Sequence, residues 1–360
     1  MNSPPGSSMG LGTVMAVQAN FYQVRLHGPT SRSLLCTRRT RLKKIGQKVM
    51  VGDRVLVEEP ATSDGRGAIV EVLHRKNELK RPPVANVDQI LLVFALEEPP
   101  LDAWQLSRFL VKAESTALDL CLCLNKTDLA TGAGQQRWQQ RLEAWGYQPV
   151  LISVATNLGI DRLIRHLTEK ITILAGPSGV GKSSLINHLI PAASVRVAQV
   201  SGKLQYGRHT TRHVELFELP GNGLLADSPG FNQPELDCDP ASLASYFPEA
   251  RRRLAQGQCQ FSDCLHRDEP NCAVRGDWER YGHYLKFLDE AIARQEAIQQ
   301  MPDRKSSLKL KIKESGQAEY EPKLESKKYR RLSRRQKHQT LQERVRNQTL
   351  EELYEEAEDL

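Results

Sequence analysis

One segment of this chain has the residue types and spacing of a phosphate-binding loop. Gly176-Pro-Ser-Gly-Val-Gly181-Lys182-Ser183 follows an apolar run and opens a helical pattern, which is the context that such a loop requires. Its glycines let backbone N–H groups surround phosphate, Lys182 can reach the β- and γ-phosphates, and Ser183 can bind Mg²⁺. The predicted phosphate contacts are Gly176, Pro177, Ser178, Gly179, Val180, Gly181, Lys182, Ser183 and Ser184.

Two polar segments downstream could complete a magnesium site. Asp227-Ser-Pro-Gly230 ends an apolar run, so the Asp227 carboxylate could hold Mg²⁺ through water and the Gly230 N–H could contact the γ-phosphate. The segment Gly207-Arg-His-Thr-Thr211 could supply a second hydroxyl ligand, and the spacing does not choose between its two threonines. The predicted magnesium ligands are Ser183, Asp227 and either Thr210 or Thr211.

A third motif could bind guanine. Asn125-Lys-Thr-Asp128 follows an apolar run, and the Asp128 carboxylate can accept hydrogen bonds from guanine N1–H and the 2-amino group, a pair that adenine cannot offer. An isolated match would be a surface turn. However, Ser153-Val-Ala-Thr156 follows the next apolar run and resembles a loop whose Ala155 N–H contacts guanine O6. The predicted guanine contacts are Asn125, Lys126, Asp128, Ser153, Val154 and Ala155.

The order of these motifs is unusual. Asn125-Lys-Thr-Asp128 precedes the phosphate loop, whereas an ordinary GTPase has the phosphate loop first and the guanine motif near its end. All four motifs nevertheless keep the correct cyclic order. We therefore predict a P-loop GTPase domain that is circularly permuted.

The residue that promotes hydrolysis is harder to assign. Phe231 stands just after Asp227-x-x-Gly230, where Ras-type enzymes hold a glutamine that orients water. Phenylalanine cannot hydrogen-bond water, so intrinsic hydrolysis should be slow. His209 is the candidate catalytic residue, with Arg208 or a group from a partner as the next candidate. His209 could equally be a plain surface side chain.

Cysteine and histidine cluster near the end of the folded region. The spacing Cys259-x4-Cys264-x-His266-x5-Cys272 offers three thiolates and one imidazole. Four protein ligands leave no position for water, so Cys259, Cys264, His266 and Cys272 predict one structural Zn²⁺ that stabilises a segment with little core. The alternative is a set of buried cysteines without metal. The other cysteines are scattered, which does not favour a disulfide framework: Cys36, Cys121, Cys123 and Cys238.

Hydrophobic patterning indicates the elements that must position these residues. Short alternating runs with turn signals up to about residue 80 predict about five strands and a small barrel of the OB-fold kind. From Val87 onward, near-continuous apolar runs alternate with amphipathic stretches, which predicts parallel strands and crossover helices. We expect strands at 90–96, 118–124, 149–152, 171–175 and 223–226 and helices near 102–117, 135–145, 159–169 and 182–190.

The predicted organisation is therefore multidomain. Beyond Met301 the chain has few apolar residues and many lysines and arginines, which favours disorder with transient helix. The predicted regions are a disordered start at 1–10, an OB-fold barrel at 11–80, a circularly permuted α/β G domain at 81–235, a mainly helical zinc-binding domain at 236–300 and a charged, disordered tail at 301–360.

Charge and hydropathy limit the possible partners. The formal net charge is +7, which modestly favours a polyanionic partner. No apolar run approaches the roughly 18 residues that a membrane span needs, and the first ten residues lack a signal-peptide core. We expect a soluble, cytoplasmic protein. The basic residues that cluster in the barrel could form either a solvated loop or an RNA contact: Arg38, Arg39, Arg41, Lys43, Lys44 and Lys48.

Together these motifs resemble the RsgA (YjeQ) family of circularly permuted GTPases. The resemblance covers about residues 10–300 and includes Ala85-Asn-Val-Asp-Gln89 and Glu269-Pro270. It implies an OB-fold barrel, a permuted G domain and a zinc domain, with GTP hydrolysis stimulated by the small ribosomal subunit (30S) during its late maturation. It also supports His209, because the family has a histidine in this loop. Ser228 in place of Thr, and Ser153-Val-Ala-Thr156 in place of Ser-Ala-x-Thr, depart from the family pattern.

We accordingly expect a monomeric GTP hydrolase that binds the small ribosomal subunit and its rRNA, with Zn²⁺ and Mg²⁺ as cofactors. One alternative is a non-enzymatic RNA-binding module with a vestigial nucleotide site, against which the intact Lys182, Ser183 and Asp227 argue. Another is a permuted GTPase that acts on a different partner, such as the large subunit or a membrane-associated complex. Turnover and co-sedimentation measurements distinguish the three.

Overall fold

Five strands near the start of the chain close into a barrel. This computed structural model describes residues 8–28, 32–60, 65–80, 82–190, 214–227, 235–300, 308–312 and 318–322. The barrel strands largely alternate buried and exposed residues, and the inward residues form a single core. The small barrel predicted from the sequence is confirmed. Its strands are β1 (Ser8–Gln18), β2 (Phe21–Leu26), β3 (Ser33–Arg38), β4 (Arg54–Glu59) and β5 (Arg66–Val72).

The first barrel strand begins earlier than we expected. Residues 1–10 were predicted to be disordered, but β1 starts at Ser8, which pairs with Glu59 at the end of β4. Backbone pairing continues without a break from there, so residues 8–10 belong to the barrel. A short helix and a small hairpin connect the barrel to the rest of the chain: α1 (Thr40–Lys44), β6 (Glu78–Lys80) and β7 (Pro83–Ala85).

The central region is a six-stranded sheet with the order β10-β9-β8-β11-β13-β12. Its strands are β8 (Gln89–Ala95), β9 (Asp119–Asn125), β10 (Val150–Leu151), β11 (Ile171–Ala175), β12 (Leu216–Glu218) and β13 (Leu224–Asp227). The five strands predicted from apolar runs are confirmed and are parallel. The sequence did not reveal β12, an antiparallel strand at the edge, because three residues are too few to show a period.

Helices cover both faces of this sheet, so that it separates two hydrophobic cores. All four predicted helices are present: α2 (Ala103–Glu114), α3 (Gly132–Trp145), α4 (Ile160–Leu167) and α5 (Lys182–Leu189). Cys121 and Cys123 of β9 are buried in one of these cores. Burial raises the pKa of Cys121 to about 11, so these residues act as small hydrophobes.

The direction of winding reverses inside the sheet. From β8 the chain runs outward through β9 to β10, then returns to β11 beside β8 and continues to β13 on the other side. The carboxyl ends of parallel strands at such a reversal form the crevice where α/β sheets usually bind ligands. The crevice between β8 and β11 therefore locates the expected nucleotide site.

A mainly helical segment follows the sheet. It contains α6 (Pro248–Gln256) and α7 (Tyr281–Gln300). Its aromatic core, which includes Phe247, Tyr284 and Phe287, also takes in Val111 of α2. The segment thus shares its core with a helix of the sheet domain. Among the described residues, no helix is long and apolar enough to cross a membrane.

The chain divides by contacts into residues 1–293 and 294–360. In the second unit, where we predicted disorder, β14 (Leu308–Ile312) and β15 (Ala318–Pro322) form a two-stranded antiparallel sheet. The alternating Leu-Lys-Leu-Lys-Ile sequence of β14 has the period of a strand. The low apolar content of the whole tail obscured this local pattern.

Candidate nucleotide site and cysteine-histidine cluster

The phosphate loop joins the carboxyl end of β11 to the amino end of α5. Gly181 has a φ of +93°, and a Cβ there would lie 2.4 Å from Asn125 Nδ2. Gly176 has a φ of +140°, and a Cβ there would lie 2.1 Å from the carbonyl oxygen of Val93. Both positions therefore require glycine, because the loop packs directly against β8 and β9.

Lys182 begins α5 and reaches back over the loop. Its ammonium donates hydrogen bonds to the carbonyl oxygens of Gly176 at 2.9 Å and Pro177 at 2.5 Å. Ser183 and Ser184 follow in the first helical turn and are exposed. The amino end of a helix attracts anions through its free N–H groups and its dipole. The segment thus presents N–H groups, hydroxyls and an ammonium to one space.

Asn125 connects the guanine motif to the phosphate loop. It is buried at the end of β9, where its Nδ2 donates to the carbonyl oxygen of Val180 at 2.9 Å. Its Oδ1 accepts from the N–H of Val154 at 3.4 Å. These contacts join segments that are 55 and 29 residues apart in the chain. One buried amide therefore holds three predicted motifs at the same edge of the sheet.

The loop after β10 leaves one backbone donor available. The N–H of Val154 is bonded to Asn125, and that of Thr156 donates to Ser153 Oγ at 3.1 Å. In the part of the chain that the structure describes, the exposed Ala155 N–H has no hydrogen-bond partner. The geometry fits Ala155 as a donor to a guanine oxygen, with its neighbours holding the loop.

The remaining guanine-motif residues lie beside this loop. Asp128 is exposed, and Lys126 adopts a φ of +57° with its ammonium bonded to the carbonyl oxygen of Glu98. Gln135 of α3 supports the turn, since its Nε2 donates to the carbonyl oxygen of Thr127 at 2.8 Å. Sequence reasoning missed Glu98 and Gln135, because a glutamate before proline and a glutamine on a helix form no motif.

Several predicted residues fall outside those that the structure describes. The backbone of Asp227 ends β13 opposite Leu174 of β11, which places it at the same edge as the phosphate loop. Its side chain is not described. The other residues concerned are Arg208, His209, Thr210, Thr211, Ser228, Gly230 and Phe231. Their proposed roles stay predictions.

Cys259, Cys264, His266 and Cys272 (the Cys3His cluster) have ligand atoms within 4.8 Å of one another. His266 Nδ1 lies 3.5, 3.4 and 3.4 Å from the three sulfurs, and the Cys259 and Cys272 sulfurs are 4.0 Å apart. A tetrahedral ion with bonds of about 2.3 Å to sulfur and about 2.0 Å to nitrogen sets separations of about 3.5 Å for S···N and about 3.8 Å for S···S. The donor set and its spacing therefore fit one Zn²⁺.

Neighbouring side chains hold the backbone of this cluster. The Glu269 carboxylate accepts from the N–H groups of Leu265 at 2.7 Å and Arg267 at 2.8 Å. From α7, the Tyr281 hydroxyl donates to the carbonyl oxygen of His266 at 2.9 Å, and the Tyr284 hydroxyl donates to that of Leu265. The two tyrosines were not identified from the sequence, although their spacing puts both on one face of α7.

A buried ion pair within the helical segment packs against α3. The Arg280 guanidinium is fully buried and bonds both carboxylate oxygens of Glu249, at 2.7 and 2.5 Å. It also lies 4.7 Å from the ring centre of Trp145, whose indole N–H donates to Glu279 at 2.7 Å. Because α3 follows directly on the guanine motif, the two sites share this helix as a support.

The basic cluster of the barrel is smaller than the sequence suggested. Arg38 donates to the carbonyl oxygen of Gln47 at 2.9 Å, and Arg39 pairs with Glu58. The side chain of Lys43 is not described. The exposed basic side chains of this cluster with no partner among the described residues are Arg41, Lys44 and Lys48.

Known proteins match this chain over most of its length. The RsgA GTPase family model matches residues 72–237. A Trichormus variabilis protein named small ribosomal subunit biogenesis GTPase RsgA is 64% identical over 90% of this chain and 94% of its own. The crystal structure of YloQ, a circularly permuted GTPase, has a TM-score of 0.67 at 31% identity and covers 82% of this chain and 99% of YloQ. The crystal structure of YjeQ from Thermotoga maritima has a TM-score of 0.66 at 34% identity and covers 80% of this chain and 100% of YjeQ. The permuted order predicted from the motifs is thereby confirmed, and the chain belongs to the RsgA GTPase family.

Proposed function

We propose that this GTPase binds the small ribosomal subunit and its rRNA in the cytoplasm, as a monomer, and acts late in the assembly of that subunit. Hydrolysis is stimulated by the subunit and drives release. The observation that carries the nucleotide part is the buried Asn125 amide, which joins the guanine motif to the phosphate loop. The partner follows from the relatives, which are named for biogenesis of this subunit.

In this proposal GTP lies along the carboxyl edge of the sheet. Asp128 accepts hydrogen bonds from guanine, and the Ala155 N–H, which has no partner among the described residues, donates to O6. The loop N–H groups and Lys182 bind the phosphates, while Ser183, Asp227 and one of the two threonines Thr210 and Thr211 hold Mg²⁺. When bound, Mg²⁺ neutralises phosphate charge.

His209 is proposed as the residue that orients water or stabilises charge during hydrolysis. The support is the residue pattern alone: Phe231 occupies the position where a glutamine would otherwise act, so a polar group must come from elsewhere. A slow reaction without a partner is the expected consequence. Contact with the subunit would then bring this loop into its active arrangement.

The Cys3His cluster is proposed to hold one structural Zn²⁺. The helical segment that carries this cluster would respond to the nucleotide state. The reason is that only a few residues separate Asp227, at the end of β13, from Leu236, which is buried in the helical core. Asp237 is also paired with Lys112 of α2. A change in residues 228–234 on hydrolysis would therefore be transmitted to the helical segment.

Ribosomal RNA would be held by three regions in this proposal. These are the barrel, through exposed basic residues such as Arg41 and Lys44, the helical segment and the basic tail. Contacts of this kind go mainly to phosphates, and their affinity falls steeply with salt. Because the binding depends on several such contacts, a modest rearrangement of these regions would be enough to release the protein from the RNA.

GTP turnover with separated ribosomal subunits tests the proposal. The intact chain would be assayed alone, with small subunits and with large subunits. Lys182→Ala should reduce turnover by about a hundredfold or more, since one preorganised charge is lost from the phosphate site. Lys80→Ala is the matched control, because Lys80 is exposed on β6 and belongs to neither the phosphate loop nor the guanine motif.

Stimulation by the small subunit alone, lost in Lys182→Ala and retained in Lys80→Ala, would support both the reaction and the partner. Equal turnover with and without either subunit would leave the GTPase activity in place but would remove the ribosomal partner. Turnover that persists in Lys182→Ala would contradict the assignment of the phosphate loop.

A further inference from the structure

A second cleft, of about 240 Å³, lies between the barrel and the central sheet. Ile171 and Leu224, the first residues of β11 and β13, form part of its wall. The cleft is therefore at the amino edge of the sheet, whereas the phosphate loop is at the carboxyl edge. This separation means that the cleft is not part of the nucleotide site.

Two arginines stand on either side of Thr13 in the barrel wall of this cleft. Thr13 of β1 pairs in register with Arg25 of β2 on one side and with Arg54 of β4 on the other. Directly opposed residues of antiparallel strands have Cβ atoms about 4.5–5.5 Å apart. The two arginine side chains therefore start on either side of the buried Thr13 and both line the cleft. The Thr13 hydroxyl is hydrogen-bonded to His27 Nε2 at 2.8 Å.

The sheet side of the cleft adds a third cation. The Lys170 ammonium bonds only the neutral Oε1 of Gln89, at 3.1 Å, among the contacts described for it. On the barrel side, Arg25 has a loose ion pair with Glu218 at 3.7 Å. Within the described part of the chain, the Arg54 side chain has no hydrogen bond or ion pair. Positive charge is thus incompletely balanced here.

The acidic residues in the wall offset this charge only in part. Asp88 already accepts from Lys76 Nζ at 3.2 Å and from the N–H of Ile171 at 2.8 Å. Glu169 is exposed at the rim. These positive charges also act on His27, whose pKa is lowered first by burial and then by the charges of Arg25 and Arg54. An anion in the cleft would relieve this repulsion.

We propose that this cleft binds a phosphate group, with Arg25, Arg54 and Lys170 as its cationic contacts. Guanidinium and ammonium groups are the usual partners of phosphate oxygens in proteins. The volume is below the roughly 300–1,000 Å³ of sites that enclose a whole small molecule, so a phosphate group fits better than a complete nucleotide. The group could belong to a free phosphate compound or to the backbone of an RNA strand.

Calorimetric titration with tripolyphosphate tests the free source. A Lys182→Ala background without divalent metal weakens binding at the phosphate loop. In that background Arg54→Gln should lower the affinity for tripolyphosphate about tenfold, as expected when one charged hydrogen bond is lost. Arg137→Gln is the matched control, because Arg137 is exposed on α3 and has no described partner. Glu169→Gln should tighten binding, a result that misfolding cannot produce.

A single-stranded RNA oligonucleotide, titrated into the same variants, tests the other source. If Arg54→Gln lowers only the affinity for the oligonucleotide, the phosphate group belongs to RNA. If it lowers only the affinity for tripolyphosphate, the phosphate compound is free. Both results support a phosphate site in the cleft. Equal binding by Arg54→Gln and Arg137→Gln for both probes, or no saturable binding of either, would overturn the proposal. Neither readout depends on GTP turnover, so the failure of the proposed function would not affect it.

Discussion

The nucleotide site and the Cys3His cluster differ in what holds their side chains in place. The nucleotide residues lie at the ends of buried parallel strands that have a hydrophobic core on each face. The Cys3His cluster lies on the stretch between α6 and α7, which has no regular helix or strand. Its backbone is held by the Glu269 carboxylate and two tyrosine hydroxyls. The first site is shaped by secondary structure, and the second by side chains whose donor set could hold a metal ion.

This difference shows where each site is vulnerable. Removing a side chain from the nucleotide site should leave the sheet intact and change only binding. Removing a ligand from the Cys3His cluster should unfold the stretch that carries it, because that stretch has no regular helix or strand of its own. Four substitutions test this contrast.

Cys264→Ser should have the largest effect. Structural zinc contributes roughly 10–16 kcal/mol in small zinc-binding peptides, so loss of one thiolate should release the metal and unfold residues 257–280. Metal content and the near-ultraviolet circular dichroism of Trp278 measure this. GTP binding should persist. Cys238→Ser, outside the cluster, should keep its metal, and full metal content in Cys264→Ser would contradict the four-ligand site.

Asp128→Ala should change specificity without unfolding. A site built to pair with guanine loses its discrimination when the acceptor is removed, so preference for GTP over ATP should fall by about a thousandfold or more. Competition between the two nucleotides in a binding assay measures it. Asp119→Ala, at the opposite end of β9 and exposed, is the control. An unchanged preference in Asp128→Ala would remove the guanine assignment.

Glu249→Gln should destabilise the helical segment, whose buried Arg280 packs on Trp145 of α3. Arg280 would be left buried without its counter-charge, and breaking such a pair costs about 3–5 kcal/mol. Denaturant unfolding measures the loss. Glu290→Gln is the matched control, because its pair with Arg108 is partly exposed and should contribute less than about 1 kcal/mol. Similar losses in both variants would mean that burial does not decide the strength of these pairs.

Gly181→Ala should have the smallest effect of the four. Its φ of +93° and the approach of Asn125 Nδ2 to 2.4 Å from an added Cβ both oppose alanine, at a cost of about 1–3 kcal/mol. Nucleotide affinity, measured by titration, should fall because the bond from Asn125 to Val180 is displaced. Gly132→Ala has open space around the added Cβ and should bind nucleotide normally. Equal nucleotide affinities of Gly181→Ala and Gly132→Ala would contradict the requirement for glycine at position 181.

Most of the central sheet could be predicted because its signals are local. Apolar runs such as 90–96 and 171–175 are strands in the structure, and Gly181 and Gly176 stand where the backbone demands them. Elements with little local signal were missed. One of these is the three-residue strand β12. The strands β14 and β15 were missed for another reason, because the polar composition of the tail obscured their local pattern.

The partners of charged residues could not be predicted from the sequence either. Arg38 and Arg39 belong to the basic cluster that we expected to form either a solvated loop or an RNA contact, yet both are engaged within the barrel. Arg280 belongs to no sequence motif, yet it is fully buried against Trp145 and Glu249. In each case the partner lies on another element, so that only packing could identify it.

The sequence by itself therefore determined the motifs, their permuted order, most strands of the sheet and the donor set of the Cys3His cluster. These depend on residue type and short spacing, which set backbone conformation and ligand chemistry locally. The tertiary structure decided which motifs meet through Asn125, how the helical segment docks on α2 and α3, and where the barrel and sheet enclose a positive cleft. Those features join residues far apart in the chain, and only burial and packing bring them within contact distance.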